Sequence, residues 1–177
     1  MKTAMGTILI TTEDLDARIA EIGRQISNDY AGREITLVGI LKGSFVFLAD
    51  LMRAISPEIP TEVDFMSVSS YGDSTSSSGT VHIEKDLGVA VSGRNVIIVE
   101  DIVDTGLTLL HVHNILSGRG ARSVRVATLL EKPGNCKYQH PLDYVGFTIP
   151  NKFVVGFGLD YAQKFRNLPE IRVLNEV

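Results

Sequence analysis

Cysteine is nearly absent from this chain of 177 residues: Cys136 stands alone. An intrachain disulfide and a cysteine-based zinc site are therefore excluded, and the composition suits a reducing cytoplasm. Cys136 itself reads as a small filler near a loop. Tryptophan is missing altogether. The longest apolar runs are strand-sized, far short of a membrane span, and Met1 to Thr7 has no apolar stretch of the signal-peptide kind. Positive charge is in deficit as well. Seventeen Lys and Arg against 21 Asp and Glu give a formal net charge of −4. That balance offers no electrostatic footprint for bulk nucleic acid or an anionic membrane, so any anion site must be local. The four histidines are scattered. His111 and His113 would point to different sides of a helix and do not form the i, i+4 pair of a zinc helix. Nucleophile-elbow, Walker and kinase glycine patterns are also lacking.

What is present is a hydrophobic fraction of 44% with 21% charge, ordinary for one globular domain with a sizeable core. Thr11 or Thr12 can cap a helix whose first turn carries Glu13, Asp14 and Asp16. Leu15, Ile19, Ile22, Ile26 and Tyr30 then form one helical face, and Gly32 ends it. Ile35 to Leu41 is a buried strand, Lys42-Gly43-Ser44 a turn, and Phe45 to Ile55 an apolar helix halted before Pro57. A strand follows from Thr61 to about Ser69, with Val63, Phe65 and Val68 alternating and Met66 breaking the alternation. The Ser/Gly/Thr-rich run from Ser69 to Gly79 cannot offset its own ordering entropy, and reads as either a hairpin tip or a lid. Val81 and Ile83 mark a return strand, and Asp86 to Arg94 a polar turn. Gly118-Arg119-Gly120 stops a later helix before a strand from Val124 to Leu130. Strands alternating with helices at this spacing predict an α/β fold, its central sheet mainly parallel and flanked by helices on both faces.

The stretch that organises the chain is Val96 to Thr108. Val96 to Val99 is β-branched and apolar, the pattern of a strand buried on both faces. Glu100 and Asp101 come next, where the strand is expected to leave the sheet; Asp104-Thr105-Gly106 is a turn, and Leu107 to Leu116 a helix. A strand, a small-residue turn and a helix N-terminus aim unpaired backbone N–H groups at one point, which suits a phosphate. Two carboxylates beside an anion site would repel the ligand unless they serve sugar hydroxyls or a magnesium ion bridging to further phosphates. Capping alone needs one such residue, not an acidic pair as well.

Glu100-Asp101-Ile102-Val103-Asp104-Thr105-Gly106-Leu107-Thr108 resembles the phosphoribosyl diphosphate (PRPP) signature of type I phosphoribosyltransferases. The resemblance runs from Ile35 to Arg166, with its separate motifs in family order. It implies the type I phosphoribosyltransferase fold: one domain over 1–177, a core of about 35–132, and a small hood from about 133–177 with the N-terminal segment. It also implies Mg2+ as cofactor and a homodimer or homotetramer.

Further motifs resemble the hypoxanthine-guanine branch. Lys42 is by spacing either a second anion site or a solvated turn lysine. Leu41-Lys42-Gly43-Ser44 resembles that branch's diphosphate loop, which implies diphosphate contacts from Lys42 and Gly43 and a cis peptide between Leu41 and Lys42. Lys132, in Glu131-Lys132-Pro133-Gly134, would alone pass for a surface charge. By resemblance it meets the oxygen at purine C6 and favours hypoxanthine, guanine or xanthine over adenine. Phe153 reads as a core aromatic from its apolar surroundings. By resemblance Phe153 stacks on the purine, Val154 meets the purine edge, Asp160 is a magnesium-linked aspartate near the base, and Arg166 contacts diphosphate. Ser70-Tyr71 resembles the start of a closing loop that would shield the transition state from water.

The implied chemistry is purine salvage: PRPP and a 6-oxopurine give a nucleoside monophosphate and diphosphate. Glu100 and Asp101 hold ribose hydroxyls and metal, Asp104 to Thr108 hold the 5′-phosphate, and Asp104 is general base near purine N7. Leu107 departs from the pattern, since some relatives have lysine there. Two other readings compete. One is a phosphoribosyltransferase for another base, which should lack the combined Lys132 and Phe153 pattern. The other is a regulator that senses PRPP or a nucleotide and binds RNA or DNA, which would need a basic face.

Overall fold

The computed structural model describes residues 5–70, 81–134, 136–138 and 141–174. The chain runs β1 (Met5–Ile10), α1 (Thr12–Asp29), β2 (Ile35–Leu41), α2 (Phe45–Ala54), β3 (Thr61–Ser70), β4 (Val81–Lys85) and β5 (Asn95–Val103). It continues with α3 (Leu107–Gly118), β6 (Ser123–Glu131), β7 (Tyr144–Thr148), β8 (Val154–Val155) and β9 (Ile171–Leu174). Of the expected lid residues, Ser70 closes β3 and Tyr71 lies outside the described residues.

Six strands form the main sheet in the order β4-β3-β2-β5-β6-β7, every pair parallel except β3 with β4. Its centre is apolar on both faces because both are covered. Leu37, Ile97, Val99, Ala127 and Leu129 share one core with α1 and α2. Val38, Ile40, Val96, Ile98 and Val126 point the other way, into a core with Leu109, Val112 and Leu116 of α3. The strand period of two thus sorts one continuous hydrophobic run between two layers.

Thr11 caps α1, its hydroxyl oxygen accepting the Asp14 N–H, and Leu15, Ile19, Ile22 and Ile26 are buried as their spacing predicts. Tyr30 is buried too, as the helix C-cap. Gly23, on the same face, lets α1 approach α2: a Cβ there would stand 2.6 Å from Cβ of Ala54. Gly23→Val is therefore expected to destabilise the fold by about 1–3 kcal/mol through overpacking. Urea unfolding reads this as a lower midpoint at unchanged slope.

A second sheet, β1-β9-β8, joins the two ends of the chain in antiparallel pairing, with Met5 opposite Leu174 and Val154 opposite Val173. Among the described residues no helix is long and apolar enough to cross a membrane.

Candidate active site

The strand expected to end at Val99 instead continues to Val103, because β6 keeps pairing with it: Glu100 faces Thr128 and Ile102 faces Leu130. Glu100 and Asp101 therefore sit inside the sheet's last turns of ladder, not in the loop beyond. This burial has an electrostatic consequence. Glu100 is 7% exposed, and desolvation together with the neighbouring Asp101 charge pushes its carboxyl well above the usual range. Burial raises Asp101 as well. The Asp101 carboxylate accepts the Ile102 N–H at 2.8 Å. Such a pair is costly to ionise until a cation or hydroxyl donors compensate it.

Beyond β5, Gly106 adopts a positive φ of 70° at the N-cap of α3 and supplies no side-chain cap. Leu110 N–H closes the first helical bond onto Gly106, at 2.9 Å. The Leu107 N–H reaches the Thr105 hydroxyl only at 3.5 Å, so the first turn presents N–H donors at the positive end of the helix. Asp104 to Thr108 line a cavity of about 180 Å3 there. Residues 136–138 brace the turn, with the Lys137 N–H donating to the Thr105 carbonyl at 2.7 Å. Cys136 is exposed, yet its Sγ would stand 2.7 Å from a Cβ on Gly106, so it packs on this turn. Leu107 is 39% exposed, an apolar side chain beside an anion-sized cavity.

The loop after β2 approaches Asp101 from the opposite side. The Leu41–Lys42 peptide is cis. Ser44, fully buried, donates its hydroxyl to the Ile40 carbonyl at 2.6 Å and pins the loop. A Cβ on Gly43 would collide with the Asp101 carboxylate, and one on Gly158 with the Gly43 carbonyl oxygen. Three layers of the chain thus meet around a bare glycine.

Lys42, Gly43, Asp101, Asp104, Lys132, Phe153, Val154, Asp160 and Arg166 line one cavity of about 360 Å3, together with Ile102 and Leu159. A further cavity of about 280 Å3 joins Lys42 and Gly43 to Glu100, Asp101 and Thr108. The residues singled out from sequence, drawn from β2, β5, β6 and the C-terminal third, therefore converge on the C-terminal edge of the sheet, where open α/β folds bind ligands. A larger cavity of about 560 Å3 lies at the opposite edge and contains none of them.

Two ion pairs organise this space. Lys132 Nζ is 3.2 Å from Asp104 Oδ2, and Arg166 is 2.7 Å from Asp160. Arg166 also donates to the Gly158 carbonyl at 2.7 Å, while Asp160 accepts the Gln163 N–H at 2.8 Å. Phe153 is not a core aromatic: it is 54% exposed, with its ring edge-on to Tyr161 at 5.7 Å. Val154 beside it is buried in β8. Ile102 and Leu159 line the cavity without belonging to the set of chemistry-bearing motif residues. Alternation along β5 places Ile102, whereas Leu159 follows a Gly-Phe-Gly turn with φ values of 102°, 50° and 97° that no periodicity announces.

Residues 11–162 match the model of the phosphoribosyl transferase domain family. The chain belongs to that family. The hypoxanthine-guanine phosphoribosyltransferase of Mycobacterium tuberculosis (strain H37Rv) is 50% identical over 175 residues, covering 96% of this chain and 86% of that protein. The bifunctional protein TilS/HprT of Listeria monocytogenes (strain EGD-e) is 47% identical over 167 residues, 94% of this chain. This chain spans only 26% of that longer protein. A solved hypoxanthine phosphoribosyltransferase from Staphylococcus aureus superposes with a TM-score of 0.93 at 43% identity, covering 99% of this chain and 94% of that one. Within the family the chain stands in the hypoxanthine-guanine branch, and its layers are those of the type I phosphoribosyltransferase fold.

Proposed function

We propose that this chain carries out purine salvage, transferring the phosphoribosyl group of PRPP to N9 of hypoxanthine or guanine with release of diphosphate. The observation that carries the reading is a single cavity lined by Lys132, Phe153 and Asp104 together with Gly43, Asp101 and Arg166. It supports a base and a diphosphate held on either side of one anomeric carbon.

The 5′-phosphate lies on the first turn of α3, held by backbone N–H groups and by the hydroxyls of Thr105 and Thr108. With Leu107 in place of a cation, backbone and hydroxyl donors carry that contact. Glu100 and Asp101 meet the ribose hydroxyls. As diphosphate departs, positive charge grows on the ribose ring, and these carboxylates stabilise it more than the ground state. Lys42, the Gly43 backbone and Arg166 receive the diphosphate. Phe153 stacks on the purine and Val154 lines its edge, beneath a hood formed by β1, β8 and β9. Asp104 accepts the N7 proton as N9 attacks. The working form is a homodimer or homotetramer in the cytoplasm.

The residues also fit Mg2+. Among the described residues no three metal-ligating side chains converge, but buried Glu100 and half-buried Asp101 form an adjacent carboxylate pair that is costly to ionise. Magnesium takes one or two carboxylates and completes its shell with substrate oxygens and water. Glu100, Asp101 and Asp160 would hold it. When bound, the ion neutralises charge developing on the diphosphate.

Lys132→Met tests the base site. Without a donor to the C6 oxygen, KM for hypoxanthine is expected to rise at least about tenfold. PRPP affinity, measured by calorimetry with Mg2+, should stay within about threefold. An unchanged KM would remove Lys132 from base recognition.

A further inference from the structure

The Lys132 side chain is only 12% exposed, and its ammonium stands 3.2 Å from a carboxylate oxygen of Asp104, whose side chain is 52% exposed. Both line the cavity bounded by Phe153 and Val154. The Lys132 backbone N–H donates to the Val103 carbonyl at 2.9 Å, which fixes the lysine next to the turn that carries Asp104. The group that reads the purine oxygen and the group that takes the purine proton are therefore each other's partner.

Given the base-binding roles proposed above, on which this rests, we propose that Asp104 is a specificity-determining residue: it competes with the oxygen at purine C6 for the Lys132 ammonium. A base that brings an acceptor to that position draws the lysine away and frees the carboxylate to face N7. A 6-aminopurine brings a donor, which an ammonium cannot use. Lys132 then stays on Asp104, and the carboxylate that should accept the N7 proton remains tied up. Discrimination therefore falls on the chemical step as well as on binding, and the competing carboxylate weakens every 6-oxo ligand by a common amount.

The test compares two nucleotides that differ only at C6, inosine monophosphate and the 6-unsubstituted purine riboside monophosphate, in equilibrium binding by calorimetry. The quantity read is the ratio of their dissociation constants. In wild type the oxo nucleotide should bind more tightly. In Asp104→Ala that preference should grow about three- to tenfold, because the lysine has lost its competitor. Neither nucleotide carries a proton on N7, so the Asp104 carboxylate has none to accept from either, and the ratio reads the lysine. Asp104→Asn retains an uncharged acceptor and should fall between the two, which keeps the test open if the alanine variant folds poorly. An unchanged or smaller preference in Asp104→Ala would overturn the competition, since it would mean that the ammonium serves both acceptors at once. A wild type with no oxo preference would instead remove the assignment of Lys132 to the C6 oxygen, and the proposal with it.

Discussion

Asp104→Asn is expected to lower turnover with hypoxanthine by about 10²-fold, the usual scale of one general base. The affinity for PRPP should meanwhile stay within about threefold. The side chain stands at the mouth of the base cavity, exposed enough to meet a ligand and 3.2 Å from Lys132. An amide preserves its shape and its capacity to accept a hydrogen bond, but it cannot take a proton. The 5′-phosphate cradle relies on backbone N–H groups that the substitution leaves in place. Steady-state kinetics and PRPP calorimetry on one preparation separate the two effects. Unchanged turnover would end the assignment of Asp104 as base.

Glu100→Gln should make the protein more stable and less active. Glu100 is buried beside Asp101, and its carboxyl titrates well above the ordinary value. A folded pKa above the unfolded one means that the fold binds the Glu100 proton more tightly than the unfolded chain does. The associated stability is present at pH values below the unfolded carboxylate range and drains away as pH rises through the folded value. Glutamine stays neutral throughout and can donate to Asp101. The melting temperature of Glu100→Gln should thus exceed that of wild type at about pH 8, and the gap should close towards about pH 4. Each kcal/mol relieved corresponds to about 2–4 °C in a chain of this length. PRPP binding with Mg2+ should weaken in the same variant, since ribose and metal lose a carboxylate. A lower melting temperature at pH 8 would mean that the buried pair is already compensated. Such an opposition between stability and function is what a functional carboxylate in a core strand implies.

Most of the scaffold was legible because its signals are local. The face of α1 from Leu15 to Ile26, the apolar run of β5 and the glycines at the end of α3 each specify their element within a few residues. The position of Glu100 and Asp101 was not, since the length of β5 depends on how far β6 goes on pairing with it. Nor was the pairing of β1 with β9, which joins opposite ends of the chain and leaves no local trace. Ala162, Gln163 and Phe165 adopt positive φ, a conformation their residue types rarely take, so the turn that brings Asp160 to Arg166 could not be read from propensity. Phe153 misleads for a related reason: apolar neighbours predict burial, but only Val154 and the residues after it turn inward. The motif residues were found by resemblance, and the structure adds their reason for meeting, with Gly43 and Gly158 leaving room for three segments around Asp101.

The most direct test of the central claim is nucleotide formation by the purified chain with PRPP and Mg2+, offering hypoxanthine, guanine, xanthine and adenine separately. Hypoxanthine or guanine should be converted, with adenine inert. Adenine converted as readily as hypoxanthine would contradict the claim, as would no nucleotide from any base by a folded protein that still binds PRPP.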